Sequence, residues 1–222
     1  MKSVKGYHLN IEILKNLYVN QYISIPTGYG ELDNLLDGGI KPYHSYLIYG
    51  EAGTGKTLLV SKIIKMVLYS NKSVFIVSYK DDILKNIEDI AETKPLESIF
   101  FIKSKNLKTL NEDLEHMLKA PEKRRLIVID DFNHIVDVSA EDRRELLRFI
   151  WNSKNLVYRW GASLITITGV TQTLGKMEFY KPRGISKYAH AFNYVLLTSK
   201  IDDTTIRISD IARSKTAILQ LF

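Results

Sequence analysis

The residues best placed to do chemistry are Gly50-Glu51-Ala52-Gly53-Thr54-Gly55-Lys56-Thr57, which satisfy G-x-x-x-x-G-K-S/T at every fixed position. Glycine at those positions lets the backbone turn tightly enough for successive N–H groups to face phosphate oxygens. A helix beginning there adds its partial positive charge. All eight residues are candidate nucleotide ligands, with Lys56 reaching the β- and γ-phosphates and the Thr57 hydroxyl holding Mg²⁺. The motif carries this meaning only between a strand and a helix. Ser45 to Tyr49 is an apolar and aromatic run suited to a short buried strand, and Leu58 to Leu68 has the apolar spacing of a helix packed on a sheet.

A second acidic element lies about 75 residues downstream. Leu126-Ile127-Val128-Ile129 is an apolar run that ends in Asp130-Asp131, the form of a Walker B strand. Ligands of open α/β sheets bind at the carboxyl edge of the strands. Asp130 is therefore the candidate partner of the Mg²⁺ that Thr57 holds, through water. Asp131 has two readings, orienting the attacking water or capping the following turn. The stretch from Thr171 to Lys187 places Lys176, Lys181, Arg183 and Lys187 against Glu178 alone, with Phe179 and Tyr180 among them. Cations neutralise phosphates and aromatics stack on unpaired bases, so this is either a single-stranded DNA contact or a solvated surface loop. Arg143, Arg144 and Arg148 alternate with Glu141, Asp142 and Glu145, which favours an ion-paired helix face.

Positioning these groups takes strands that alternate with helices. Strand-like runs recur at Ser73–Ser78, Ser98–Ile102, Ser163–Thr168, Tyr194–Thr198, Thr205–Ile208 and Ala217–Phe222. Helical spacing marks 81–91, 107–118 and about 140–158, while 170–189 is polar and reads as one long loop. The expected fold is α/β, a P-loop NTPase core with a mostly parallel sheet, helices on both faces and antiparallel C-terminal strands. Residues 1–25 form an N-terminal segment, with a short helix suggested by Ile11, Leu14, Leu17 and Tyr18; 26–222 form the ATPase domain. The 222 residues are 45% hydrophobic and 25% charged, the mix of a globular domain. No run is long enough for a membrane span and no signal core opens the chain, so a cytoplasmic location and no membrane partner are expected. With no cysteine and five scattered histidines, thiol chemistry is excluded and a zinc centre is not expected. The net charge of +6 suits a polyanionic partner.

Thr27-Gly28, Leu32-Asp33 and Gly38-Gly39-Ile40, followed by the P-loop, resemble the opening of RecA-family ATPases, with the archaeal RadA and RadB branch and the KaiC-like proteins most similar. The resemblance runs from about Thr27 to Arg213. It implies a RecA-like core, ATP and Mg²⁺ as cofactors, single-stranded DNA as partner, roles in recombination and repair, and assembly with its own copies or with a recombinase. Pro182-Arg183-Gly184 is similar to the stretch closing the second DNA-binding loop of recombinases, and the absence of an extra N-terminal domain suggests a core-only paralogue. Three departures stand out. Lys80 occupies the place of the family's water-activating glutamate, and a lysine is no general base at neutral pH without a large pKa depression; Asp81 and Asp82 either substitute or cap the next helix. Thr168-Gly169-Val170-Thr171-Gln172 replaces the family's Thr-Asn-Gln, so Gln172 either senses the γ-phosphate from a shifted position or is an ordinary loop residue. Ile211 replaces the lysine of the C-terminal motif, which leaves Arg213 as the charge that would reach a neighbour's phosphate. ATP binding with slow hydrolysis is the expectation, and a non-hydrolysing recombinase adaptor or a KaiC-like regulator without DNA binding are the alternatives.

Overall fold

The computed structural model describes residues 24–88, 98–119, 125–136, 142–172 and 180–221. Its organising element is an eight-stranded sheet built from β1 (Ser45–Gly50), β2 (Val74–Ser78), β3 (Ile99–Lys103), β4 (Leu126–Asp130), β5 (Ser163–Thr168), β8 (Tyr194–Lys200), β9 (Thr205–Asp210) and β10 (Lys215–Gln220). The spatial order is β3-β2-β4-β5-β1-β8-β9-β10. Strands β3 through β8 run parallel, and β9 and β10 are added antiparallel. This is the α/β class expected from the alternation of elements.

Residue type explains the difference between the two halves. Every residue of β1, β2, β4 and β5 is buried, so these strands read as continuous apolar runs covered on both faces. Strands β9 and β10 alternate buried and exposed positions, as an antiparallel edge with one solvated face should. One face of the sheet packs against α1 (Gly30–Leu35) and α2 (Lys56–Tyr69) through a core containing Leu32, Leu36, Leu59, Ile63, Ile76 and Ile165. The other packs against α4 (Leu107–Lys119), α5 (Phe132–Ile135) and α6 (Asp142–Trp160) through Leu47, Val77, Leu110, Ile129, Phe132 and Phe149. A short helix, α3 (Asp82–Lys85), follows β2.

Two sequence expectations change here. The helical spacing over 81–91 is interrupted: one turn of helix spans Asp82–Lys85, a turn follows, and Glu88 is again helical, with 89–97 outside the described residues. The long loop over 170–189 is structured at both ends. A two-stranded ribbon of β6 (Val170–Gln172) and β7 (Tyr180–Pro182) leaves the end of β5, and a 3₁₀ helix over Ser186–Ala191 leads into β8. The ion-paired helix face holds for Arg148, whose guanidinium contacts Glu115 at 2.7 and 2.8 Å across to α4, whereas Arg143 and Arg144 are exposed. No helix among the described residues is long and apolar enough to cross a membrane.

The Thr27–Ile40 motif has a structural role. Asp33 Oδ1 accepts hydrogen bonds from both the backbone N–H and the hydroxyl of buried Thr27, each at 2.8 Å, which fixes the approach of the chain to α1. Ile25 and Ile40 then pair as an antiparallel bridge.

Candidate nucleotide-binding site

The carboxyl ends of β1, β5 and β4 are adjacent because β5 lies between the other two. Gly50, Thr168 and Asp130 therefore come to one edge of the sheet. The loop 51–55 leaves that edge and α2 starts at Lys56, with Gly55 at φ +73° supplying the left-handed turn. No side chain caps this helix and its first turn holds no acid, so its leading N–H groups are left for an anionic ligand. Lys56 Nζ bends back over the loop and donates to the carbonyls of Gly50 at 3.0 Å and Glu51 at 2.6 Å, and to Thr54 Oγ1 at 3.3 Å. Burial pushes the Lys56 ammonium pKa down, opposed by the charges of Asp130, Asp131 and Glu51.

Thr57 and Asp130, chosen from sequence as the metal pair 73 residues apart, meet: the Thr57 hydroxyl donates to Asp130 Oδ2 at 3.3 Å. Asp130 is 3% exposed. Its carboxyl pKa is pushed up to about 6, first by burial and then by the charge of Asp131, against the lowering effects of the Asp131 N–H, Thr57 and Lys56. A buried carboxylate still short of positive charge, with a hydroxyl beside it, fits Mg²⁺. Among the described residues no group of three or more His, Asp or Glu side chains could hold an ion. The shell would be completed by water and nucleotide phosphates, as Mg²⁺ prefers. Bound there, the ion would neutralise charge on the transferring phosphoryl group.

Asp131 sits at φ +53° in the N-cap position of α5 without making a side-chain cap. Its charge acts on both Asp130 and Lys56. Lys80 is exposed after β2, its N–H held by Ser78 Oγ at 3.2 Å. Asp81 and Asp82 pair with Lys103 and Lys85 at 3.3 and 3.2 Å, and neither takes the place of the missing glutamate in any contact described. Gln172 ends β6 opposite Tyr180. Tyr180, Lys181, Arg183 and Lys187 are exposed beyond the site, while Lys176 and Phe179 lie outside the described residues.

Arg213 lies elsewhere. Its guanidinium donates to Asp210 Oδ2 at 2.6 Å and to the Asn193 carbonyl at 3.3 Å, and it covers the Tyr194 ring at 4.0 Å. Tyr194 pairs with Tyr46 at the start of β1, so about 13 Å of strand separates it from Gly50. Within one chain it is not a nucleotide ligand, because β9 and β10 turn at the amino edge of the sheet.

Two supporting residues carried no sequence signal strong enough to select them. Thr198 of β8 bonds Thr54 Oγ1 at 2.8 Å and donates to the Tyr49 carbonyl at 3.2 Å, bracing the loop from the neighbouring strand. Asn133 Oδ1 accepts the Gly169 N–H at 3.0 Å, tying the turn after β4 to the end of β5. Thr198 also explains Gly50: a Cβ there would overlap the Thr198 hydroxyl and carbonyl oxygens. Gly50→Ala is accordingly expected to destabilise the fold by about 2–3 kcal/mol, lowering the melting temperature by roughly 5–10 °C in a thermal denaturation scan.

A sequence model of the KaiC ATPase matches residues 25–218. No curated protein matches the chain. The P-loop, the buried Walker B aspartate one strand away, the parallel core with its antiparallel edge, and a match across most of the sequence converge: the chain belongs to the KaiC family of RecA-like ATPases.

Proposed function

We propose that this protein hydrolyses Mg·ATP slowly and uses its nucleotide state to set the β6–β7 ribbon, through which it binds single-stranded DNA in recombination or repair. The observation that carries the reading is a short path of hydrogen bonds from the metal-binding strand to the ribbon. Asp130 ends β4; Asn133, three residues on, holds the Gly169 N–H. Gly169 O accepts the Arg183 N–H at 2.9 Å, and Thr168 Oγ1 donates to the Arg183 carbonyl at 2.9 Å. A change at the phosphates that moves Asp130 and the turn after it therefore reaches the base of the ribbon, where Tyr180, Lys181 and Arg183 are exposed.

Slow turnover follows from Lys80, which cannot supply the base that the family's glutamate supplies. Asp131 is left as the carboxylate to orient water. In an assembly of copies, Arg213 would have to exchange Asp210 for a neighbour's phosphate, and the 2.6 Å ion pair with a buried aspartate opposes that exchange.

The test is a DNA-binding titration at two salt concentrations. Lys181→Ala/Arg183→Ala should weaken single-stranded DNA binding about tenfold and reduce the salt slope by about 1–2, since each lysine or arginine lost removes one released counterion. Mg·ATP affinity should stay unchanged. Absence of DNA binding at low salt would overturn the DNA role. It would favour the second reading, a regulatory ATPase without DNA, for which the match to KaiC speaks.

A further inference from the structure

The face of α6 that points away from the sheet is unusual for a solvated helix. Leu147, Trp151 and Tyr158 are 50%, 69% and 70% exposed, and their spacing of four and seven residues puts them on one stripe. Single exposed apolar residues are common, but three in line form a patch of the kind that marks an interaction site. The cations Arg143, Arg144, Lys154 and Arg159 flank the stripe and are exposed, and the stretch from Leu147 to Trp160 contains no acidic residue.

The stripe runs into a cavity. Between α6 and the segment Ala191–Asn193 lies a space of about 130 Å³ whose walls include Tyr43, Phe149, Val157, Leu164 and Phe192, with Tyr158 and Lys154 at its rim. Ser153 lines it, is 5% exposed, and its hydroxyl has no hydrogen-bond partner among the described residues. A buried hydroxyl without a partner carries a desolvation penalty that an entering polar group would relieve. The volume is on the scale that holds one aromatic ring.

We propose that this face is the docking site for an acidic segment of a partner protein, which inserts one aromatic or branched side chain into the cavity, bonds the Ser153 hydroxyl, and sets carboxylates against Lys154 and Arg159. Trp and Tyr beside a pocket, with cations at the rim, are the composition that carries most binding energy at protein interfaces. A nucleic acid fits less well, because Leu147 offers no stacking surface and the cavity, walled by Phe149, Val157, Leu164 and Phe192, is small and enclosed for a base with its sugar. Ser45, Leu164 and Asn193 place the site at the amino ends of β1, β5 and β8, opposite the P-loop. Partner and nucleotide can therefore be held together.

The experiment is selection of random 16-residue segments displayed on phage against the full chain with Mg·ATP present, followed by affinity measurement of the enriched peptides. Expected are peptides with an aromatic or branched residue among acids. Their Kd should rise at least about tenfold with each of Trp151→Ser, Lys154→Glu and the cavity-filling Ser153→Leu. ATP binding by the same variants, unchanged, shows that each remains folded; Trp151→Ser and Lys154→Glu alter only the surface should Ser153→Leu fail to fold. Recovery of no peptide that depends on Trp151 and Lys154 would overturn the proposal. So would self-association of the chain lost in Trp151→Ser, which would make a second copy the occupant, or single-stranded DNA binding lost in Lys154→Glu, which would make it a nucleic acid.

Discussion

Lys56→Ala is expected to lower Mg·ATP affinity by about 100- to 1000-fold, equivalent to roughly 3–4 kcal/mol, and to abolish turnover. The ammonium is the one cation in the described contacts of the loop, and it holds the Gly50 and Glu51 carbonyls and the Thr54 hydroxyl. When nucleotide enters, those carbonyls must be exchanged for phosphate oxygens, and the charge-assisted bonds to phosphate are the stronger set. Removing the side chain costs the phosphate contacts and also leaves Asp130 and Asp131 without the positive charge that acts on both. The incoming triphosphate would then face two carboxylates with only Mg²⁺ between them. Lys56→Arg should not rescue binding, because the planar fork is too broad for a cradle built around a point charge. Titration with a fluorescent nucleotide, in Mg²⁺ and in its absence, reads both effects. Affinity within threefold of the parent protein would remove this loop from the nucleotide site.

What could be read from the sequence was what is local. The eight residues of the P-loop and the strand ending in Asp130 announce themselves by spacing along the chain. Their flanking apolar runs suffice to put one on a strand-to-helix turn and the other at a strand end. That Thr57 and Asp130 meet also followed, because an α/β sheet gathers its strand ends at one edge. The ribbon of β6 and β7 was missed for the opposite reason. Each strand has three residues, one includes Pro182, and the pairing of Val170 with Pro182 spans a segment with no alternating pattern. Thr198 and Asn133 were illegible because their roles depend on register. Thr198 matters only when β8 lies beside β1 with Gly50 opposite, and nothing in Tyr194-Val195-Leu196-Leu197-Thr198 distinguishes that threonine from any other in a strand. Arg213 was selected by its place in a motif. Its surroundings are set by the turn that puts Asp210 three residues before it at a buried position, so that within its own chain it meets Asp210 and not the P-loop. The stripe on α6 shows a further limit: Leu147, Trp151 and Tyr158 fit the apolar period of a core-facing helix, and only the packing shows which side of α6 faces out.

Asp130→Asn is expected to do two opposite things. Mg²⁺-dependent hydrolysis should fall at least about 100-fold, because the neutral amide offers a divalent ion neither the charge nor the second oxygen of a carboxylate. The metal-free protein, by contrast, should become more stable. Asp130 has a pKa of about 6 in the folded chain against an ordinary 3.8, and this net shift already includes the help it receives from Lys56. Between those two values the native state binds the proton that the unfolded chain has released. The parent protein therefore gains stability as pH falls from about 7 toward 4, and above about pH 7 it carries the full cost of the buried charge, about 2–3 kcal/mol. Asparagine removes that cost: its carbonyl takes the place of Oδ1 and accepts the Asp131 N–H, and its amide N–H takes the place of Oδ2 and donates to the Thr57 hydroxyl oxygen. In EDTA at pH 7.5 the variant should melt roughly 5–10 °C above the parent, with the difference closing as pH approaches 4. A variant no more stable than the parent at pH 7.5 would mean that the charge on Asp130 is already balanced without metal, and retained Mg²⁺-dependent turnover would mean that the ion is held elsewhere. The gain in stability and the loss of activity would have one origin: burial at the strand edge keeps the Asp130 carboxylate short of balancing charge, and that same charge is what would attract a metal nucleotide.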